Sequence, residues 1–208
     1  MKYVDELVER YSALLPLKAD VECAVEKIVE SYKNGGKVLL CGNGGSASDS
    51  DHVAGELLKG FLSKRVPVGE ELSALEGALG EDAVKLQQGV PAIPLPQLSG
   101  VLSAFANDVD PDLVYAQLVY ALGKRGDVLV AFSTSGNSKN VIKAAKCARA
   151  LGIFVIGMSG EGGGMLLGES DICLRAPEKE TFKIQEYHLP IYHAICAEVE
   201  RILFVGEN

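Results

Sequence analysis

Apolar residues follow two kinds of pattern along the chain, and the changes between them divide it into elements. Near the beginning, Val, Leu, Ile and Tyr recur at helical spacing over residues 4–15 and 21–32, which predicts two amphipathic helices. Gly35 and Gly36 end the second helix. Four short apolar runs without polar alternation follow, as is typical of strands that are covered on both faces. The runs are KVLLC (37–41), DVLVAF (127–132), IFVIGMS (153–159) and ICLRA (172–176).

Helical patterns separate these apolar runs and follow the last of them, over residues 111–127, 139–151 and 181–204. Strands that alternate with helices imply an α/β protein in which a central parallel sheet carries helices on both faces. Residues 62–97 are rich in Gly, Pro and acidic residues. For this segment the sequence predicts a loop with one or two short helices before a strand at AIPL (92–95).

Composition narrows the class of protein. The 208 residues are 48% hydrophobic, which suits one domain with a substantial core, and we take residues 1–208 as that domain. The net charge of −8 and the lack of a basic stripe argue against a nucleic-acid-binding protein. The apolar runs are too short to span a membrane, and the charged N-terminal segment is unlike a signal peptide. Five scattered cysteines without a C-x-x-C pair indicate neither a disulfide framework nor a zinc knuckle, so we expect a cytoplasmic protein.

The stretch CGNGGSASDSD (41–51) connects the first predicted strand to a helix. Gly42, Gly44 and Gly45 allow positive φ angles and close approach by a ligand. Ser46 is predicted to cap the helix, with Asp49 completing a capping box. Backbone N–H groups that converge at a helix N-terminus suit a phosphate or a hydroxyl-rich ligand. The stretch matches neither G-x-G-x-x-G nor a Walker A loop, so no nucleotide cofactor is predicted.

A second polar stretch, STSGNS (133–138), also lies between a predicted strand and a helix, with Ser138 as the predicted N-cap. Its hydroxyl groups and the helix N–H groups can bind a phosphate without Lys or Arg. Either stretch alone is equally consistent with a tight turn that binds nothing. Two of them at the carboxyl ends of parallel strands favour a phosphorylated small molecule as the ligand, because open α/β sheets bind ligands at that edge.

Two predicted helices carry side chains suited to acid–base chemistry or to metal binding. His52 and Glu56 are four residues apart and share one helix face, and Gln185 and His193 share a face of the terminal helix. Four such side chains can meet at one point, as a zinc site or an acid–base site requires. A His–Glu pair at this spacing can equally be a surface pair. His188 lies on a different face from His193, where it would cap a helix or contact a partner.

Three segments together resemble a known family: CGNGGSASDSDHVAGEL (41–57), AFSTSGNSKNVIKAAKCARALG (131–152) and IQEYHLPIYH (184–193). They resemble the SIS (sugar isomerase) domain family and, within it, the phosphoheptose isomerases, over nearly the whole chain. The resemblance implies a flavodoxin-like three-layer α/β/α fold and a homotetramer with sites shared between subunits. We expect the helices of residues 1–34 to contact partner subunits, since a small sheet cannot cover their apolar stripes. Residues 62–97 exceed the usual link in the family and would form a lid or an extra contact.

The resemblance also assigns roles to residues, position by position. Glu56 matches the catalytic base and His193 the catalytic acid. Zinc, which some members bind, would be held, one ion per subunit, by His52, Glu56, Gln185 and His193. The phosphate would be held by Ser133, Thr134, Ser135 and Ser138. The remaining substrate contacts would come from Asn43, Gly44, Gly45, Ser46, Glu56, Asn107, Asp108 and Gln185.

The activity that the resemblance implies is the conversion of sedoheptulose 7-phosphate into a heptose 7-phosphate through a cis-enediol. One carboxylate can move the proton between C1 and C2, and a histidine can polarise or protonate the sugar oxygens. Two alternatives stay open: a non-catalytic member of the family that binds phosphosugars or serves as a replication-initiation scaffold, and another SIS activity. The presence of both Glu56 and His193 favours the enzyme.

Overall fold

The centre of the molecule is a sheet of five parallel strands. In chain order these are Val38–Cys41 (β1), Ala92–Pro94 (β2), Val128–Phe132 (β3), Phe154–Ser159 (β4) and Ile172–Arg175 (β5). Their spatial order is β2–β1–β3–β4–β5, and every neighbouring pair is parallel. This is the strand order of flavodoxin-like folds, in which the order reverses between β1 and β3. The predicted fold class is therefore confirmed in the computed structural model, which describes residues 1–206.

Helices cover the sheet on both faces. They are Lys2–Arg10 (α1), Lys18–Lys33 (α2), Gly45–Leu58 (α3), Gly69–Leu79 (α4), Ser99–Asp108 (α5), Val114–Leu122 (α6), Lys139–Ala150 (α7), Gly164–Glu169 (α8) and Thr181–Glu200 (α9). A π-helical turn, Arg201–Val205, extends α9. Among residues 1–206, none of the helices has the length and apolar character needed to cross a bilayer.

Successive strand residues point to opposite faces of the sheet, and this divides the core into two clusters. In β1, Val38 and Leu40 pack with α1, α2, α3 and α9, whereas Leu39 and Cys41 pack with α6, α7 and α8. Burial of a Leu or Val side chain stabilises the fold by about 1.5–3 kcal/mol. Both faces of the central strands are therefore used, as the unbroken apolar runs predicted.

The N-terminal helices pack within their own chain. Val4 of α1 and Ile28 of α2 are buried in the same cluster as Ile191 of α9. The apolar stripes of α1 and α2 are thus covered by α9 and the sheet. The terminal helix thus supplies surface that the sheet lacks, and contact of residues 1–34 with partner subunits stays a prediction.

Residues 62–97 contain α4, a 3₁₀-helical segment at Gly80–Lys85 and the edge strand β2. The predicted short helices and the predicted strand near 92–95 are confirmed. None of the residues of α4 is buried, and the helix packs mainly on the 3₁₀ segment.

A buried ion pair fixes the end of α3. The Arg65 Nε lies 2.7 Å from Glu200 Oε1, and both side chains are almost fully buried. Arg65 also donates to the carbonyl oxygens of Leu57 (2.8 Å) and Glu56 (3.1 Å), which lie in the last turn of α3 and have no partner within the helix. Glu200 in turn accepts backbone N–H groups from Phe61, Leu62 and Ser63. Glu56 is therefore held on a helix whose C-terminus is anchored to α9.

A buried histidine attaches α9 to the sheet. His188 is completely buried, and its Nε2 lies 3.2 Å from the carbonyl oxygen of Ser159 at the end of β4. Burial lowers the pKa of His188 to about 4, so that its ring is neutral at pH 7. The prediction of a capping or partner-contact histidine was wrong, since this ring belongs to the core beside Phe132.

Candidate active site

Two polar loops lie side by side at the carboxyl edge of the sheet. The glycine loop (residues 42–45) follows β1, and the serine loop (residues 133–138) follows β3. Because β1 and β3 are adjacent and parallel, both loops lie where the strand order reverses. Open α/β sheets bind ligands in the crevice at this point. The predicted juxtaposition of the two loops is confirmed.

Side-chain contacts join the two loops to each other and to α9. The amide groups of Asn43 and Asn140 exchange two hydrogen bonds of 2.9 Å, which link the glycine loop to the first turn of α7. The side chain of Gln185 packs against Gly45 so closely that a Cβ there would lie 2.5 Å from Gln185 Nε2. The glycine loop therefore contacts both helices that border the crevice.

The start of α3 differs from the prediction. Gly44, with φ of +57°, occupies the N-cap position, and the helix begins at Gly45. Ser46 lies inside the first turn and is buried, and no side-chain hydrogen bond caps the helix. The predicted capping box of Ser46 and Asp49 was wrong, because the positive φ of Gly44 turns the chain into the helix earlier.

Internal hydrogen bonds shape the serine loop. The buried Ser133 hydroxyl donates to Ser138 Oγ (3.0 Å) and accepts the backbone N–H of Ser138 (3.3 Å). Ser135 Oγ accepts the N–H of Asn137 (3.1 Å), while the Ser135 residue itself is exposed. Ser138 is the N-cap residue of α7, as predicted, although its side chain makes no capping hydrogen bond. The exposed part of the loop, with Thr134 half-buried, faces solvent in front of a helix N-terminus.

Three of the predicted catalytic and metal-binding side chains form one cluster. His52 Nε2 lies 3.2 Å from Glu56 Oε1 on α3 and 3.4 Å from His193 Nε2 on α9. Glu56 is mostly shielded, with its side chain 15% exposed, and its other oxygen lies 3.4 Å from Lys59 Nζ. A carboxylate and two imidazoles in contact can accept, donate and transfer protons.

Tyr192 contacts the opposite side of the His52 ring and joins it to Asp49. The hydroxyl oxygen of Tyr192 lies 3.0 Å from His52 Nδ1, and this hydroxyl donates to Asp49 Oδ1 (3.4 Å). Burial raises the pKa of both the Tyr192 phenol and the Asp49 carboxyl. Burial and the neighbouring His52 lower the pKa of His193, so this ring is neutral at pH 7.

Asn107 and Asp108 lie at the end of α5, both exposed, with a mutual hydrogen bond of 2.8 Å. Within residues 1–206, neither side chain hydrogen-bonds to the glycine loop or to the serine loop. Nearby, Asp110 lies 3.2 Å from Lys143 of α7 and so attaches this segment to the helix that follows the serine loop. The substrate-binding role of Asn107 and Asp108 therefore stays a prediction.

The imidazole nitrogens and the carboxylate oxygens of the cluster are atoms of the kind that bind zinc. Two imidazole nitrogens and a carboxylate are the three protein ligands of many catalytic zinc sites, and such donors lie about 3.3 Å apart around a tetrahedral ion. The contacts of 3.2 and 3.4 Å that His52 makes have this spacing. Gln185, the fourth predicted ligand, instead packs at Gly45, eight residues and about 12 Å along the helix from His193. Among residues 1–206, no group of three or more His, Cys, Asp or Glu side chains already converges on a metal position, so closure around an ion requires side-chain rotation.

Two glycine substitutions are expected to have different effects. One should lower turnover without destabilising the protein, and the other should destabilise the protein. Gly45→Ala should leave the fold intact, because Ala suits a helix and only the flexible end of Gln185 must move. Displacement of Gln185 should lower turnover by about tenfold to a hundredfold. Gly136→Ala should destabilise the protein by about 1–3 kcal/mol or more, because its φ is +67° and its Cβ would lie 2.0 Å from the carbonyl oxygen of Gly163. Thermal unfolding and turnover of both variants check this, and equal losses of stability would contradict it.

Comparison with known proteins decides the family. The family model of the SIS domain matches residues 2–90 and 88–160. A phosphoheptose isomerase of Roseiflexus sp. (strain RS-1) is 39% identical over 86% of this chain and 80% of its own. One from Aneurinibacillus thermoaerophilus is 36% identical over 88% of this chain and 82% of its own. The chain belongs to the phosphoheptose isomerase family of SIS-domain proteins.

Solved structures of the family share this fold. The phosphoheptose isomerase from Neisseria gonorrhoeae has a TM-score of 0.74 and 33% identity, with 94% of each chain covered. The one from Francisella tularensis has a TM-score of 0.68 and 27% identity, covering 97% of this chain and all of that one. The family resemblance seen in the sequence is confirmed at the level of sequence and of fold.

Sequence reasoning missed three side chains of this phosphoheptose isomerase fold. Asn140 holds the two loops together, and Tyr192 and Asp49 contact His52 or each other. Tyr192 adjoins His193, and Asp49 lies three residues before His52, one helical turn away. This spacing of one helical turn places Asp49 on the same face of α3 as His52, and it could have indicated Asp49 as a site residue. Nothing in the sequence shows that α9 brings Tyr192 against α3.

Proposed function

We propose that this chain is an aldose–ketose isomerase that converts sedoheptulose 7-phosphate into a heptose 7-phosphate through a cis-enediol. The observation that carries the proposal is the contact of Glu56, His52 and His193 beside a crevice whose other end holds the serine loop.

In this mechanism the serine loop binds the phosphate and the cluster performs the proton transfers. Thr134, Ser135 and Ser138 offer hydroxyl groups at the N-terminus of α7, where the helix dipole favours an anion. The buried Ser133 hydroxyl holds the loop in shape. The glycine loop, Gln185, Asn107 and Asp108 surround the sugar.

Glu56 acts as the base. Its carboxylate removes the proton from C1 of the open-chain ketose and returns it to C2, so one group serves both half-reactions. His193, neutral at pH 7, donates a hydrogen bond to the sugar oxygen on which negative charge develops, and it assists ring opening. The Glu56 side chain is 15% exposed, so the proton that it holds between the two steps exchanges with water.

One zinc ion per subunit is part of the proposal. His52, Glu56 and His193 would hold it, with Gln185 as the fourth ligand after movement of its amide. Bound there, zinc would supply Lewis-acid polarisation of the substrate oxygens.

We also propose a homotetramer in the cytoplasm. A groove of about 360 Å³ between α1 and α9 reaches His193, and the exposed Leu62 and Leu189 line it. A partner subunit that covers this groove would complete the surroundings of the cluster, and light scattering distinguishes a tetramer from a monomer.

All five cysteines are free, which is the state that a reducing cytoplasm maintains. The role of residues 62–97 as a lid stays a prediction.

The activity is tested with a panel of ketoses, each offered with and without its phosphate. Sedoheptulose 7-phosphate is expected to be converted, and the unphosphorylated sugar is expected to lose most of kcat/KM, because the serine loop binds the phosphate. In Ser135→Ala/Ser138→Ala, affinity for the phosphosugar should fall at least tenfold while the protein stays folded, with a small loss of stability because the buried Ser133 hydroxyl loses its acceptor. The proposal fails if no ketose phosphate in the panel is isomerised. Unchanged affinity of the double variant in calorimetry would remove the serine loop from the site.

A further inference from the structure

The imidazole of His52 can carry its proton on either nitrogen, and its two nitrogens face different groups. Nδ1 faces the hydroxyl of Tyr192 at 3.0 Å. Nε2 faces Glu56 Oε1 at 3.2 Å and His193 Nε2 at 3.4 Å. The position of the proton therefore decides whether His52 donates a hydrogen bond to Glu56 or offers it a lone pair.

The hydrogen-bonding requirement of Asp49 determines whether the Tyr192 hydroxyl donates to Asp49 or to His52. An ionised carboxylate can only accept hydrogen bonds. Within residues 1–206, the buried Asp49 Oδ2 has no hydrogen-bond partner, and Oδ1 has the Tyr192 hydroxyl. If Tyr192 donated to His52 instead, both oxygens of this shielded carboxylate would lack a donor, at a cost of about 1–3 kcal/mol or more.

The opposite side of the ring tolerates an unprotonated nitrogen. The His52 side chain is 42% exposed, so water or substrate reaches this edge. His193 can also donate its Nε2–H to His52 Nε2 across the 3.4 Å contact. The cost of a lone pair facing Glu56 is therefore screened, whereas the cost of an unpaired Asp49 is not.

We propose that Asp49 and Tyr192 form a positioning relay that holds His52 as the Nδ1–H tautomer. In this relay, His52 Nδ1–H donates to the Tyr192 oxygen, and the Tyr192 hydroxyl donates to Asp49. Nε2 then presents a lone pair to Glu56 and His193. Glu56 Oε1 then receives no hydrogen bond from His52 and stays available for the sugar proton, and Nε2 is ready for a substrate hydroxyl or a metal ion. The catalytic consequence rests on the proposed function, whereas the tautomer itself does not.

The tautomer is measured directly by long-range ¹H–¹⁵N NMR on histidine-labelled, chelator-treated protein at a pH where His52 is neutral. The chain has three histidines, and loss of one signal set in His52→Gln assigns His52. The expected result is a protonated Nδ1 and an unprotonated Nε2. In Asp49→Ala, Tyr192 is free to donate to Nδ1, so the proton should move to Nε2. In Tyr192→Phe the acceptor for Nδ1–H is gone, and the same move is expected.

Tyr187→Phe is the matched control, because it removes a hydroxyl from the same helix at a ring that packs against Tyr11. It should change neither the tautomer nor turnover. A protonated Nε2 in the parent protein overturns the relay, and so does an unchanged His52 tautomer in both Asp49→Ala and Tyr192→Phe. The NMR readout needs no turnover, so its result stands whether or not the chain isomerises sugars.

Kinetics test the catalytic consequence separately. Tyr192→Phe should lower kcat about tenfold to a hundredfold with little change in KM, as is typical when the group that orients a site imidazole is lost. A His52 tautomer that changes without any change in kcat would overturn the positioning role in catalysis.

Discussion

Glu56→Gln is expected to abolish isomerisation while substrate still binds. The substitution keeps the size and most of the hydrogen bonding of the side chain but removes its ability to accept the C1 proton. We expect kcat to fall by several powers of ten, each worth about 1.4 kcal/mol of barrier. Affinity for the phosphosugar should change only a few-fold, because in the proposed mechanism the phosphate contacts come from the serine loop.

The measurement combines turnover with calorimetric titration of the phosphosugar. Glu76→Gln, at an exposed position of α4 whose residues are all unburied, is the matched control and should behave as the parent protein. Thermal unfolding confirms that each variant is folded. A Glu56→Gln variant that retains more than a tenth of the parent kcat would show that another group is the base.

Arg65→Met is expected to cause a large loss of stability. The substitution preserves side-chain length but leaves Glu200 buried without its cation, and it removes one of the two donors to the Leu57 carbonyl oxygen and the side-chain donor to that of Glu56. Removal of one partner of a buried ion pair destabilises a protein by about 3–5 kcal/mol. For a chain of this length that corresponds to a fall in Tm of roughly 10 °C.

Lys85→Met is the matched control, since it breaks an exposed ion pair with Asp82. Such pairs contribute about 0–1 kcal/mol, so its Tm should stay close to that of the parent protein. Denaturant unfolding of both variants gives the two losses directly. If Arg65→Met costs no more than Lys85→Met, the Arg65–Glu200 pair does not anchor α3.

Acidification should weaken the same anchor. Burial alone would raise the pKa of Glu200, but hydrogen bonds from the backbone of Phe61 and Leu62 and from Arg65 outweigh it, so the pKa lies below its ordinary value. A lowered folded-state pKa means that the stabilisation is present above the ordinary pKa of a glutamate. It is lost as the pH falls through the folded-state value.

The parts of the fold that were predictable from the sequence are those that local patterns encode. Strands β1, β3 and β4 were recognisable because strands covered on both faces require unbroken apolar runs, and VLLC and VLVAF have no polar interruption. The polar loops after β1 and β3 follow from the same pattern, since each interrupts the chain at the end of a run. The parallel order then places the loops at one edge.

The parts that were not predictable depend on contacts between distant segments. Gly44 rather than Ser46 is the N-cap residue of α3, and the positive φ of Gly44 that places it there does not follow from helix propensities. The side chain of Tyr192 reaches His52 because α9 packs along α3, 140 residues away in sequence. Gln185 was predicted as a metal ligand from its spacing to His193, which stays a prediction, and the packing of its amide on Gly45 could not be seen in the sequence.

The central claim is that Glu56 moves the proton between C1 and C2, and solvent isotope exchange tests it most directly. The protein is incubated with sedoheptulose 7-phosphate in D₂O, and uptake of deuterium at C1 and C2 of the sugar phosphates is followed by NMR. An enediol mechanism with Glu56 as the base predicts uptake with the parent protein and Glu76→Gln, and uptake slower by several powers of ten with Glu56→Gln. Exchange by Glu56→Gln at the parent rate would show that Glu56 is not the base, and the account of the site would be wrong.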